Sequence, residues 1–225
     1  MIKSIFFDLD GTLWDFEENS RATLRALVEQ FRIPLSYEEF YNVYEPINAQ
    51  YWRRYRNGEV THNELNFNRF YDTFKVFKIN YTKGKIEDFR EAYIEGLGNP
   101  KSLYPHTLEI LDYLKDRYDL HIITDGFSDI QEKKLKRSGI FSYFETMTFS
   151  DEVGVTKPDP IIFETALARA NAAPGQSLMI GDHLEFDVEG AKRVGFQALH
   201  FKPGKASDAV EKGSISSLLE LKNNL

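Results

Sequence analysis

The sequence predicts an α/β protein: a doubly wound parallel sheet, interrupted after its first strand by an all-helical insertion. Three observations carry this expectation. Short apolar runs such as SIFF, HIIT and LMIG are continuous rather than alternating, as strands buried on both faces require. From Tyr104 onward such runs alternate with helical patterns at βαβ spacing. Between residues 15 and 100 that alternation fails and helical periodicity dominates, although a βαβ crossover needs only about 30 residues.

The first strand is read over Lys3–Leu9, and its end is chemically odd. IFFDLDGTLW, from Ile5 to Trp14, places Asp8 and Asp10 at the tip of a buried run before Gly11-Thr12 breaks it. An ionised carboxylate is costly to bury without a partner, so the pair must reach a solvated strand end or meet a cation.

The insertion contains its own start and stop signals. SYEE at Ser36–Glu39 and THNE at Thr61–Glu64 are capping boxes. Phe40, Tyr44, Ile47, Tyr51 and Tyr55 recur at helical spacing until Asn57-Gly58 stops them. Phe67, Phe70, Phe74 and Phe77 mark a second stripe, and Ile86, Phe89, Tyr93 and Leu97 a third that ends at Gly98. These aromatic stripes read as the core of the insertion rather than as a cofactor box.

Four further strands are expected over Leu120–Thr124, Thr146–Phe149, Leu178–Gly181 and Ala198–Phe201. Helices are expected over Thr107–Tyr118, Asp129–Ser138, Pro160–Asn171 and Glu185–Val194. Asp159-Pro160 starts the third of these with an N-cap aspartate and a proline at the first helical position.

Composition removes several classes of function. Among 225 residues, 28 basic side chains face 35 acidic ones, a net charge of −7. That balance argues against a nucleic-acid polymer or an anionic membrane as the main partner. The absence of cysteine removes disulfides, thiol chemistry and thiolate zinc sites. The start, MIKSIFFD, lacks a signal-peptide pattern, and no apolar run reaches the roughly 18 residues of a membrane span. A soluble cytoplasmic protein is expected, with no internal repeat or low-complexity tract.

The candidate site lies at the strand ends. The first, second and fourth strands end in Asp8 and Asp10, in Thr124 and Asp125, and in Asp182. GVTKPDP brings Lys157 shortly after the third strand, and GDHLEFD adds Asp187 five residues beyond Asp182. Open parallel sheets bind ligands outside the carboxyl ends of their strands. Several carboxylates, a hydroxyl and a lysine gathered there call for a hard cation with oxygen ligands, Mg²⁺ before others. The histidines are weaker signals. His121 reads as a packed strand residue, and His62 and His200 lack a partner motif. His183, directly after Asp182, is placed to line the site, and His106 lies in the LYPHT loop toward the strand ends, neither being a leading catalytic candidate.

Taken together, DLDGT, the threonine of ITDG, the lysine of VGVTKPDP and GDHLEFDVEGA resemble the four ordered motifs of the haloacid dehalogenase-like (HAD) hydrolase superfamily. They bracket nearly the whole chain. The resemblance implies a Rossmann-like core over residues 1–14 and 101–225, with a helical type-1 cap over 15–100. A further likeness in YWRRYRNGEVTHNEL, ITDGFSDIQEKKLKRSGIFSYF and SDEVGVTKPDPIIF points to the branch of bacterial 5'-nucleotidases acting on pyrimidine and non-canonical nucleotides.

Carried over by residue, the resemblance makes Asp8 the nucleophile that forms an aspartyl-phosphate, and Asp10 the general acid and then base. Mg²⁺ would be held by Asp8, the Asp10 backbone carbonyl and Asp182, with Asp187 ordering metal-bound water. Thr124, Asp125 and Lys157 would face the phosphoryl group. Three positions depart from the pattern. Asp125 stands where asparagine is usual, His106 where glycine is common, and His183 where a small polar residue is common.

The expected activity is Mg²⁺-dependent hydrolysis of a small phosphate monoester, a nucleoside 5'-monophosphate first, by a monomer or homodimer. A sugar-phosphate phosphatase or phosphomutase is the alternative. A haloacid dehalogenase would not need Asp10, and a non-catalytic binding module would not need the set of Asp8, Asp10, Thr124, Lys157 and Asp182.

Overall fold

Strand β1 (Ser4–Phe7) is buried at every position and pairs on both edges, which makes it an interior strand of the sheet. It belongs to a computed structural model that describes residues 1–97, 102–204 and 213–225. The chain divides into two compact units, Met1–Phe16 with Lys101–Leu225, and Glu17–Pro100.

The first unit is built on β1, α5 (Thr107–Leu114), β2 (Asp119–Thr124), α6 (Ser128–Arg137), β3 (Thr146–Phe149), α7 (Ser150–Val153), α8 (Pro160–Ala170), β4 (Ser177–Gly181), a π-helical turn at Leu184–Glu189, α9 (Gly190–Arg193), β5 (Gln197–Phe201), β6 (Ser214–Ile215) and α10 (Leu221–Asn224). Among the described residues the strands form one six-stranded sheet in the order β3-β2-β1-β4-β5-β6. Every neighbouring pair is parallel.

The two sides of the sheet follow directly from period-2 alternation. Ile5, Phe7, Leu120, Ile122, Leu178 and Ile180 join the α5 residues Ile110, Leu111 and Leu114 in one core. Phe6, Ile123, Met179 and Ala198 join Ile162, Phe163 and Ala166 of α8 in the other. Helices therefore cover both faces, and the sheet is doubly wound as the apolar runs predict. The chain order reverses at β1: β2 and β3 build outward on one side, β4 to β6 on the other. The crevice at the carboxyl ends of β1 and β4 is the switch point where such sheets take ligands.

The second unit, described by itself, holds α2 (Tyr37–Arg56), α3 (His62–Val76), α4 (Lys83–Leu97) and all but the first residue of α1 (Phe16–Gln30). Both capping boxes form: the Ser36 and Thr61 hydroxyls accept the Glu39 and Glu64 backbone N–H groups, and each glutamate accepts the cap N–H in return. The stripes pack on one another, with Tyr44 stacked on Phe40 and Phe70, and Phe89 edge-on to Phe70 and Phe74. The inward face of α3 also carries polar side chains. Arg69 is buried between the Phe70 and Tyr93 rings and donates to the side-chain oxygens of Asn48 and Asn66.

Several boundaries differ from the sequence reading. α5 ends at Leu114, with turns through Arg117 carrying the chain to Tyr118. The helix expected over Glu185–Val194 is a π turn followed by α9. Strand β6 is two residues long, too short to form an apolar run. The expected stop at Gly98 lies outside the described residues, as does the expected core start at 101. Among the described residues no helix is long and apolar enough to cross a membrane.

Candidate active site

The sheet carries its polar groups to one edge. Asp8 immediately follows β1, and its backbone N–H extends the ladder by donating to Ile180 O at 2.9 Å. The chain then turns tightly, because the N–H groups of Thr12, Leu13 and Trp14 all bond to Leu9 O. Gly11 makes the turn possible: its φ of +100° disfavours any side chain, and a Cβ there would lie 2.5 Å from an Asp182 carboxylate oxygen. Asp182 follows β4 across the switch point.

Lys157 ties the cluster together. It lies between α7 and α8, and its buried ammonium donates to Asp8 Oδ1 at 2.6 Å, Asp187 Oδ1 at 2.6 Å and Ile123 O at 3.2 Å. The π turn after β4 aims Asp187 inward, where its second oxygen accepts the His183 N–H at 2.9 Å. A Cβ on Gly181 would collide with the Asp187 carboxyl group, so glycine is needed at the end of β4. Thr12, buried under the turn, contacts Asp8 Oδ2 at 3.2 Å and Asp182 Oδ1 at 3.4 Å.

The charges do not balance within this group. Burial pushes the Asp8 carboxyl well above the usual carboxylate range; Lys157 opposes this, while Asp187 and Asp182 reinforce it. Asp182 is pushed up to about 6 by burial and then by Asp187. Burial works against the Lys157 charge, but Asp187, Asp8 and Asp125 outweigh it and hold the ammonium firmly protonated. Three carboxylates facing one ammonium leave excess negative charge in a partly dry site.

That excess, with its all-oxygen donor set, fits a divalent hard cation. Oxygens of Asp8, Asp182 and Asp187 lie within 4.8 Å of one another. No donor among the described residues bonds to the Asp10 carbonyl oxygen, which faces no competing partner there. Asp187 is the most committed of the three, with Lys157 on one oxygen and the His183 N–H on the other.

Asp10 points elsewhere. Its two oxygens accept from Lys134 Nζ at 2.8 and 2.9 Å, and Oδ2 also accepts from Gln131 Nε2 at 2.9 Å. The same Gln131 nitrogen lies 2.8 Å from Thr124 Oγ1, which also accepts the Gly126 N–H at 3.1 Å. The Thr124 hydroxyl, doubly engaged as acceptor, is left to donate its own proton.

Asp125 supplies an oxygen to the Lys157 backbone N–H at 2.8 Å, anchoring the lysine loop to the end of β2. Of the histidines, His200 Nε2 lies 2.8 Å from Asp182 O. His121 is buried in β2 against Phe6. His183 caps the π turn by accepting the Phe186 N–H. His106 sits at the start of α5 with φ +68°. Trp14 is fully buried in the core.

Sequence reasoning missed Thr12, Gln131 and Lys134. For the last two a signal existed: Ile130, Gln131, Lys134 and Leu135 share one face of α6, continued by Phe127 just before it, and that face is buried.

A parallel, doubly wound sheet that gathers carboxylates, a lysine and a threonine at its switch point is the framework of a hydrolase. The chain belongs to the haloacid dehalogenase-like hydrolases, whose family model matches residues 2–195. It is 33% identical over 192 residues to the pyrimidine 5'-nucleotidase YjjG of Escherichia coli (strain K12), covering 85% of this chain and 82% of that one. It is 29% identical over 214 residues to the glyceraldehyde 3-phosphate phosphatase of Methanopyrus kandleri, covering 92% and 87%. The magnesium-bound crystal structure of the HAD-hydrolase YfnB from Bacillus subtilis superposes with a TM-score of 0.89 at 27% identity, over 99% of this chain and 98% of that one.

Proposed function

We propose that this hydrolase is a Mg²⁺-dependent phosphatase of small phosphate monoesters, with nucleoside 5'-monophosphates as favoured substrates. The observation that carries the reading is the buried contact between Asp8 and Lys157 at the switch point: a carboxylate nucleophile held beside a fixed cation. Asp8, Asp182 and the Asp10 carbonyl would hold the metal, with Asp187 behind them. Bound there, Mg²⁺ would supply positive charge against the carboxylates and the phosphoryl oxygens.

In the first step an Asp8 oxygen attacks phosphorus. The ester P–O bond breaks, its electron pair stays on the leaving oxygen, and Asp10 gives that oxygen a proton. In the second step water attacks the aspartyl-phosphate while Asp10 takes its proton. The bond from phosphorus to Asp8 breaks, which frees phosphate and restores the carboxylate. Lys157 and the Thr124 hydroxyl donate to the phosphoryl oxygens in both steps, as phosphoryl transfer asks mainly for alignment and charge neutralisation.

Support for nucleotides comes from the resemblance to pyrimidine 5'-nucleotidases. A sugar phosphate is the second reading, favoured by the similarity to a glyceraldehyde 3-phosphate phosphatase. The deciding experiment measures kcat/KM with Mg²⁺ for dUMP, dTMP and UMP against glyceraldehyde 3-phosphate, hexose phosphates and phosphoglycolate. The nucleotides should lead. A tenfold advantage for a sugar phosphate would keep the phosphatase and reject the nucleotidase. Turnover of a sugar phosphate to its isomer without phosphate release would identify a mutase instead.

A further inference from the structure

We infer that Gln131 and Lys134, one turn apart on α6, are positioning residues that hold the Asp10 carboxylate and the Thr124 hydroxyl in register for the proton transfers. This rests on the reading of Asp10 as general acid and base.

The geometry is specific. Lys134 is 2% exposed, and a lysine is almost never that buried unless paired. Its ammonium reaches both oxygens of Asp10 and lies 5.2 Å from the Phe16 ring centroid. Gln131 is fully buried, and its amide nitrogen bridges Asp10 Oδ2 and Thr124 Oγ1. The bridge exists only because Gly126 has no side chain: a Cβ there would occupy the space of the Gln131 amide. Among the described residues, Gln131 and Lys134 are the only groups bonded to the Asp10 carboxylate.

The consequence is functional because no other described residue anchors the Asp10 carboxylate. A carboxyl group that gives up its proton in one step and, as carboxylate, takes one back in the next must keep its place in both. Its backbone sits in the turn after β1, yet its side chain is located by a helix that begins after β2. Gln131 also links the proton-handling group to a phosphoryl-binding group, so the two cannot shift independently. Misplacement of a catalytic group by about 1 Å costs on the order of 10²-fold.

The test separates positioning from folding by varying the leaving group. An alkyl phosphate needs its leaving oxygen protonated, whereas p-nitrophenyl phosphate releases a stable anion and needs this far less. Asp10→Asn sets the benchmark and should lose much more activity on the alkyl ester than on the aryl one. Lys134→Met should show the same selective loss, with kcat for the alkyl ester down about 10²-fold, a small change for the aryl ester and KM nearly constant. Lys134→Arg should recover most of the alkyl activity. Gln131→Met, which buries no new charge, should show a weaker version of the pattern and serves if Lys134→Met does not fold.

Equal losses on both esters in Lys134→Met and Gln131→Met, or losses confined to KM, would overturn the inference while leaving Asp10 as the acid. Equal losses in Asp10→Asn itself would overturn the role of Asp10, and so the reading beneath.

Discussion

Lys157 donates to Asp8 at 2.6 Å with both side chains buried, and the same ammonium holds Asp187 at 2.6 Å. The lysine is thus the common counter-charge of a carboxylate cluster that would otherwise repel itself. Removing one partner of a buried ion pair costs about 3–5 kcal/mol because the other charge is left uncompensated. Lys157→Met is expected to lower the unfolding free energy by roughly that amount in the metal-free protein, with turnover lost. Denaturant unfolding with and without Mg²⁺ checks this, and Mg²⁺ should restore only part of the stability.

Asp8→Asn keeps the shape of the side chain and removes the charge that the proposed mechanism uses as nucleophile. Turnover should vanish, while circular dichroism stays unchanged. The metal-free variant should melt within a few degrees of the parent: it loses a charge that burial disfavours, but also one of the two carboxylates bonded to Lys157. A variant that retains more than a small fraction of activity removes Asp8 from the reaction.

The pH dependence of metal binding has a definite sign. Burial, then Asp187, pushes Asp182 up to about 6 from an ordinary 3.8. A carboxyl group raised in the folded state binds more protons folded than unfolded, so its contribution to stability falls as pH rises from about 4 to 6. A cation at Asp8 and Asp182 must displace those protons. The rise in Tm on adding Mg²⁺ should therefore be largest near pH 7–8 and shrink below about pH 6. Taking the difference between loaded and metal-free protein removes other titrations, such as that of His121, which burial lowers to about 4. A Mg²⁺-induced shift that is flat from pH 5 to 8 would argue against a site built on Asp182.

His106 gives a test of strain rather than chemistry. It starts α5 at φ +68°, where only glycine is free of the Cβ clash. His106→Gly should raise stability by up to about 1 kcal/mol and leave kcat/KM unchanged, whereas His106→Val should lower it. A large loss of activity in the glycine variant would instead make His106 part of the site.

How legible these features were in sequence depends on the range of the interaction that makes them. The capping boxes at Ser36 and Thr61 are local and were read in place. The strand-end position of Asp8, Thr124 and Asp182 follows from buried apolar runs and one topological rule. Asp10 was visible as a residue, but its partners on α6 are more than 100 positions away, and no pattern around Asp10 announces them. Lys134 was hidden because a lysine on a charge-rich helix reads as solvated. Only the burial of its neighbours on the same face distinguishes it. The π turn that aims Asp187 inward depends on Gly181 and His183 together, which propensity does not register.

Asp125 is the clearest departure from the family pattern, and its geometry yields the last prediction. Its carboxylate accepts the Lys157 backbone N–H at 2.8 Å, and its own carbonyl accepts the Ser150 hydroxyl at 2.8 Å. The residue therefore braces the lysine loop with one acceptor oxygen, and its charge also helps hold the Lys157 ammonium. The charge is a liability beside Thr124, where a phosphoryl dianion would bind. Asp125→Asn keeps an oxygen for the Lys157 N–H, removes the like charge and adds donors. The substitution should lower KM for phosphate monoesters by about twofold to tenfold, the size expected of a like charge near a partly exposed site. The effect should weaken as ionic strength rises. Stability should fall only modestly, since the brace to Lys157 survives while one of the three carboxylates that favour its ammonium is neutralised. Asp125→Ala separates the two functions: losing the oxygen as well, it should reduce both stability and kcat. A higher KM in Asp125→Asn would show that the carboxylate itself serves the substrate, for instance by accepting a hydrogen bond from a hydroxyl of the leaving group.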